Sequence, residues 1–187
     1  MNKKRFSKNK KYAGFSYAES ILAVFIVSFE MLVVASLMSS SLKESMDSRN
    51  QIIGVLLSQE GIELVRNLRD NNWAKGDDTF TDFPTVSNDW CRVNIDNIIG
   101  CAPTYTDRIL RIRSSDKAYY HNATGTATKF RRVIKIDYDA QITQAEITSI
   151  VSWGVWDANM VNLTDTVCNS SAKCAYTTTT LTRWGGM

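Results

Sequence analysis

The chain has 187 residues, 44% hydrophobic and 22% charged, with 22 basic residues against 19 acidic, net +3. Six of the basic residues, Lys3, Lys4, Arg5, Lys8, Lys10 and Lys11, fall in the first fourteen positions, and without them the balance is 16 against 19, net −3. What remains has no general field to attract phosphates, and its single histidine, with no G-x-S-x-G and no phosphate-binding glycine loop, offers no catalytic constellation, so neither an enzyme nor a cofactor is expected.

The basic leader holds no acid and is expected to stay in the cytoplasm while the apolar stretch after it inserts, N-in and C-out. Residues 20–38 form an apolar stretch whose only charged side chain is Glu30. At ~1.5 Å per residue they make a helix of about 29 Å, enough to cross the hydrocarbon core. A secretory signal has a shorter core, roughly 7 to 15 residues, with a small-residue cleavage site after it. Val33-Val34-Ala35 before Ser36 offers such a site, but the length of the run and two carboxylates, Glu19 and Glu30, weigh against it. Cleavage between Gly14 and Phe15 fits better, because it removes the leader and keeps the helix.

Gly14, Phe15 and Glu19, behind a basic leader and ahead of an apolar run, resemble the N-terminal motif of the type IV prepilin family. The resemblance implies cleavage after Gly14 by a prepilin peptidase, N-methylation of Phe15, and a role for Glu19, fifth in the mature chain, in holding a neighbouring subunit's N-terminal ammonium. Tyr17 and Ala18 replace the family's usual aliphatic pair, and Ser36 stands where major pilins often carry the residue that lets the helix melt. A charge left alone in lipid costs roughly 2.5 to 3.5 kcal/mol or more. Glu30 lies eleven residues past Glu19, on nearly the same helix face at ~100° per residue and ~16 Å further along. Two readings of Glu30 stand side by side, a carboxyl kept protonated or wetted in lipid and a second contact between subunits.

Residues 39–50 are polar and lack Gly and Pro. Beyond them Ile53, Leu57, Leu64 and Leu68, with Ile52, Leu56 and Val65 beside them, mark one face of an amphipathic helix, opposite Gln59, Glu63, Arg66 and Asp70. One nearly continuous helix is expected from Phe15 to about Asn72, closed by Trp73 and the Asp77-Asp78 turn. Its first half would form membrane or filament core and its second half would pack on a sheet. Residues 59–73 also resemble the same stretch of PilV-type minor pilins, so the resemblance covers residues 1–73.

From Trp90 onward β-branched and aromatic runs at 92–99, 108–113, 129–139, 146–156 and 176–184 predict an antiparallel sheet. Phe130, Ile134, Ile136 and Tyr138 share one face of their run, and Ile147, Val151, Trp153 and Val155 share one face of theirs, enough to cover the helix. The expected architecture is α+β and pilin-like. Its parts are a removable leader at 1–14, a transmembrane or filament-core helix at 15–38, the amphipathic half at 39–73, and an extracytoplasmic β-rich domain at 74–187.

Cys91 with Cys101 and Cys168 with Cys174 read as local disulfides in an exported domain, although three pairings are formally open. Structural zinc favours cysteine pairs with two to four residues between them, whereas nine and five intervene here and His121 stands alone, so no metal is expected. Two basic strips, Arg108-Arg111-Arg113 and Lys129-Arg131-Arg132-Lys135, are expected on a solvated sheet face, with DNA capture as their rival reading. His121, beside the turn-like 122–125, is expected in an exposed loop without a role. The sequons at Asn122, Asn162 and Asn169 occur at about the frequency chance supplies in so Thr- and Asn-rich a stretch.

The expected function is that of a structural subunit, a minor pilin, of a type IV pilus or related filament. It would sit in the cytoplasmic membrane by a single pass before assembly and in the extracellular pilus filament afterwards. Its partners would be other pilin subunits, a prepilin peptidase/methyltransferase, the pilus assembly platform, the membrane, and a surface or DNA ligand for the β-domain. A type II secretion pseudopilin shares the motif and is the alternative. A single-pass anchored or secreted binding domain, in which Glu19 would be dispensable, is the alternative of another class.

Overall fold

A single helix, α1 (Tyr17–Lys75), runs through 59 residues. It starts where the Ser16 carbonyl accepts the N–H groups of Glu19 at 3.0 Å and Ser20 at 3.2 Å. It stops at Gly76, whose φ of 82° suits a residue without a Cβ. There the Gly76 N–H donates to the Trp73 carbonyl at 3.0 Å and the Asp77 N–H to the Asn72 carbonyl at 3.1 Å, a Schellman closure of the last turn. The helix thus extends one turn past the end expected from the apolar period.

The computed structural model describes residues 16–81, 83, 84, 89–94, 98–102, 108–121, 125–139, 143–154, 168 and 172–183. The chain divides into two units, Met1–Ser45 and Met46–Met187. In the first, every described residue lies on α1 or just before it and is exposed. The N-terminal part of α1 is long and apolar enough to cross a membrane, which is compatible with membrane anchoring.

In the second unit the rest of α1 packs on an antiparallel sheet of β1 (Asp89–Val93), β2 (Ile98–Ala102), β3 (Ile109–Ile112), β4 (Tyr119–Tyr120), β5 (Thr126–Asp139), β6 (Gln144–Ser152) and β7 (Cys174–Thr182). The fold is therefore α+β, a long N-terminal helix on an antiparallel sheet. β5 organises the sheet. One edge pairs with β6 from Arg131↔Ser152 to Asp139↔Gln144, and the other is shared by β1, at Cys91↔Ile134, and β3, at Ile109↔Arg131. β7 pairs with β6 and, among the described residues, ends the sheet on that side.

The expected alternation holds in the two long central strands. Phe130, Ile134 and Ile136 of β5 and Ile147 and Val151 of β6 are buried toward the helix, where Leu57, Ile62 and Val65 meet them. Burying each such side chain contributes about 1.5–3 kcal/mol. The opposite sheet face has its own small cluster of Trp90, Val133, Ile150, Cys168 and Cys174.

Three expectations change. The run at 92–99 is not one strand: β1 stops at Val93 and β2 begins at Ile98. Tyr119 and Tyr120 form a short strand on β3 that two residues of sequence do not announce. The sheet-facing side of α1 is centred on Gly54, Leu57, Ser58, Gly61, Ile62, Val65, Arg69 and Asn72, so Ile52 and Leu56 are left exposed. Small residues let the sheet approach α1 closely, which turns the buried face away from the bulkiest apolar positions. Val155 and Trp184 lie outside the described residues.

Candidate functional site

Gly14 and Phe15, the expected cleavage and methylation positions, lie outside the described residues. Glu19 stands in the first turn of α1, where a carboxylate faces the positive end of the helix dipole, and is exposed. Glu30 is exposed in mid-helix among Phe25, Val27, Phe29, Met31 and Val34, all exposed as well. From Glu19 to Met38 the first unit thus presents a mainly apolar cylinder carrying two carboxylates. Apolar surface on this scale needs a cover of lipid or protein.

In the second unit the polar chemistry gathers where α1 meets the sheet. Gly54 and Gly61 bring the helix close: a Cβ on Gly54 would stand 2.6 Å from Cζ3 of Trp153, and one on Gly61 would collide with Oγ of Ser149. Between these contacts Ser58 Oγ donates to the Val55 carbonyl at 2.8 Å and shares a 2.7 Å hydrogen bond with Thr177 Oγ1 of β7. Arg132, on the helix-facing side of β5, is completely buried, and its Nη1 donates to the Leu57 carbonyl at 3.2 Å and to Glu60 Oε1 at 3.1 Å. Burial pushes the Arg132 guanidinium pKa down, and the charge and hydrogen bond of Glu60 oppose that shift. Further along, Lys129 Nζ donates to Asn50 Oδ1 at 2.6 Å, and Asn72 Nδ2 donates to the Thr81 carbonyl at 2.6 Å. The Asn72 bond ties the helix end to the turn that follows it, and the others hold the helix at one azimuth and one register on its sheet.

The two basic strips are only in part a solvated face: Arg113 and Lys129 are exposed and Arg111, Arg131 and Lys135 half-buried, whereas Arg108 and Arg132 are buried, and burial lowers the Arg108 pKa. Arg113 is engaged with Asp116 at 2.5 Å and with the Tyr120 hydroxyl, and it holds the Asp116 carboxyl well below the usual carboxylate range. An arginine in line with Phe130, Ile134 and Ile136 shares their inward face, a signal in the alternation that outweighs the usual outward preference of its charge. His121 is likewise buried, not in an exposed loop. Its backbone N–H donates to Asn94 Oδ1 at 3.0 Å. Burial first, then the charges of Arg132 and Arg92, push its pKa down to about 3. Nothing in its turn-like neighbourhood announced this. The spacing Gly54, Ser58, Gly61 would have been the sequence signal for the close helix–sheet approach.

Cys91 is bonded to Cys101 across β1 and β2, with Cα atoms 4.1 Å apart, and Cys168 is bonded to Cys174, with Cα atoms 5.4 Å apart. Both pairs are the local ones expected from spacing. Comparison with known protein families, curated proteins and solved structures yields no match.

Proposed function

We propose that this chain is a structural subunit of a type IV pilus or a related filament. It is inserted N-in in the cytoplasmic membrane, cut between Gly14 and Phe15, methylated at Phe15, and built into an extracellular filament through its N-terminal helix. The observation that carries this reading is the exposed apolar stretch of α1, continuous with a helical segment fastened to a disulfide-closed sheet. Lipid covers the apolar cylinder before assembly and neighbouring helices cover it afterwards. Glu19 is positioned to receive the ammonium of a neighbouring subunit, a pairing worth most where water is scarce. The sheet, held at one register on its helix, is what the filament exposes. Prepilin peptidase and the assembly platform are the implied partners, and residues 59–73 resemble the same stretch of PilV-type minor pilins.

Mass spectrometry of the N-terminus of the protein taken from its native membrane or surface fibre tests this reading. A chain starting at Phe15 with one added methyl group is expected. A start at Met1 would replace the reading with a plain anchor, and a start at Ser36 with a secreted domain. A pseudopilin gives the same terminus, and extended surface fibres separate it from a pilus subunit.

A further inference from the structure

We infer that Glu30 of one copy pairs with Lys43 of a second, parallel copy of this chain, the two helices offset by thirteen residues; this rests on the assembly reading above. Within the first unit the described charged residues are Glu19, Glu30, Lys43 and Glu44. Glu30 finds no cation on its own helix, because the neighbours three and four positions away are Ile26, Val27, Val33 and Val34. The nearest hydroxyl, on Ser28, donates to the Val24 carbonyl at 2.7 Å. A carboxylate surrounded by apolar side chains must take its counter-charge from outside its own chain or give up its charge.

Lys43 is the one basic side chain among the described residues of that unit, and it is exposed. Its acidic neighbour four positions on, Asp47, lies 3.6 Å from Lys173. Glu44, next in sequence, projects about 100° away and does not face it. The α-ammonium created at Phe15 by the proposed cleavage belongs to Glu19, so Lys43 is the cation left to serve Glu30.

The geometry fits a head-to-tail contact. Thirteen residues of helix place Lys43 ~20 Å further along than Glu30 and about 140° away around the axis. Two copies related by a twofold axis would need the paired groups on one face. Parallel copies in heterologous contact use nearly opposite faces, and such a contact propagates into an open helical array when it does not close. The offset is larger than the four residues, ~6 Å, that a Glu19 contact with a neighbour's Phe15 ammonium needs, so the two contacts join a subunit to different neighbours in the array.

The test is a charge exchange in the full-length chain expressed in its native host, with filament incorporation measured against the amount held in the membrane. Glu30→Lys and Lys43→Glu alone should each lower incorporation at least about tenfold, since each leaves like charges opposed in a dry contact, and the double variant should return it to near the wild-type level. A second readout does not depend on inserting a lysine. The chain carrying both Glu30→Cys and Lys43→Cys, oxidised in assembled filaments, should give a ladder of dimers and higher multimers. A double exchange no better than the worse single variant, a ladder absent, or dimers alone overturns the pairing while a Phe15 terminus leaves the assembly reading standing. A wild-type chain that starts at Met1 and is missing from the filament fraction overturns both.

Discussion

The Arg132–Glu60 pair is unequal, with a guanidinium fully out of water and a carboxylate side chain still 41% exposed. Losing either partner therefore has different consequences. Glu60→Ala strands a buried cation and should cost about 2 kcal/mol, less than the 3–5 of a fully buried pair because Glu60 is partly hydrated. Arg132→Met removes the charge but keeps most of the volume and should stay within about 1 kcal/mol of wild type. Urea midpoints of the detergent-solubilised protein compare the two. His121 adds a pH term. Its folded pKa of about 3 lies below its ordinary value of 6.5, so above pH 6.5 both states are neutral and its contribution is complete. As the pH falls from 6.5 toward 3 the unfolded chain takes the proton first, and stability declines by up to about 1.4 kcal/mol per unit. Asp116, held low by Arg113, acts in the same direction but only below its ordinary value of 3.8. Melting temperatures between pH 6.5 and 4 should therefore fall steeply for wild type and more gently for His121→Gln.

At the scale of elements the closest approach in the second unit is α1 against β6 and the residues just after it. Replacing a helical glycine with alanine normally gains ~0.5–1 kcal/mol. At Gly54 the new Cβ meets the Trp153 ring at 2.6 Å and 3.0 Å, and overpacking costs typically 1–3 kcal/mol. Gly54→Ala should thus lose about 1 kcal/mol net, visible as a lower urea midpoint. The two disulfides span separations of 10 and 6 residues, and opening each should cost about 2–3 kcal/mol through regained chain entropy. A melting curve with reductant against one without measures the sum, and Cys168→Ser isolates the pair beside Trp90 and Ile150 on the outer face. The apolar period marked α1, and the alternation at Phe130, Ile134 and Ile136 marked the inward face of β5. The inward place of Arg132 was legible in that same alternation, but its partner Glu60, seventy-two positions away, was not. β4 was not legible because a two-residue strand carries no period. The N-terminal helix was plain because membrane-length apolarity needs no tertiary partner to show itself.

At the scale of the whole molecule the two units answer to different tests. Under the assembly reading, Glu19→Ala should remove most of the chain from filaments while leaving the thermal unfolding of residues 46–187 unchanged, because Glu19 lies in the other unit and is exposed. Immunoblots of membrane and filament fractions beside a calorimetric scan separate the two effects. The sheet also imposes an order in time. The bed for α1 is completed by β7, the last described strand in chain order, through Ala175 beside Gly54, Thr177 beside Ser58, and Leu181 in the cluster with Ile62 and Val65. More than a hundred residues separate these partners, so the apolar face of the helix waits uncovered while the intervening chain emerges. A nascent chain halted before Cys174 has its helix complete and its core open. Under the assembly reading, completion of this fold therefore waits until the last described strand has crossed to the side of the membrane where the helix segment it covers lies.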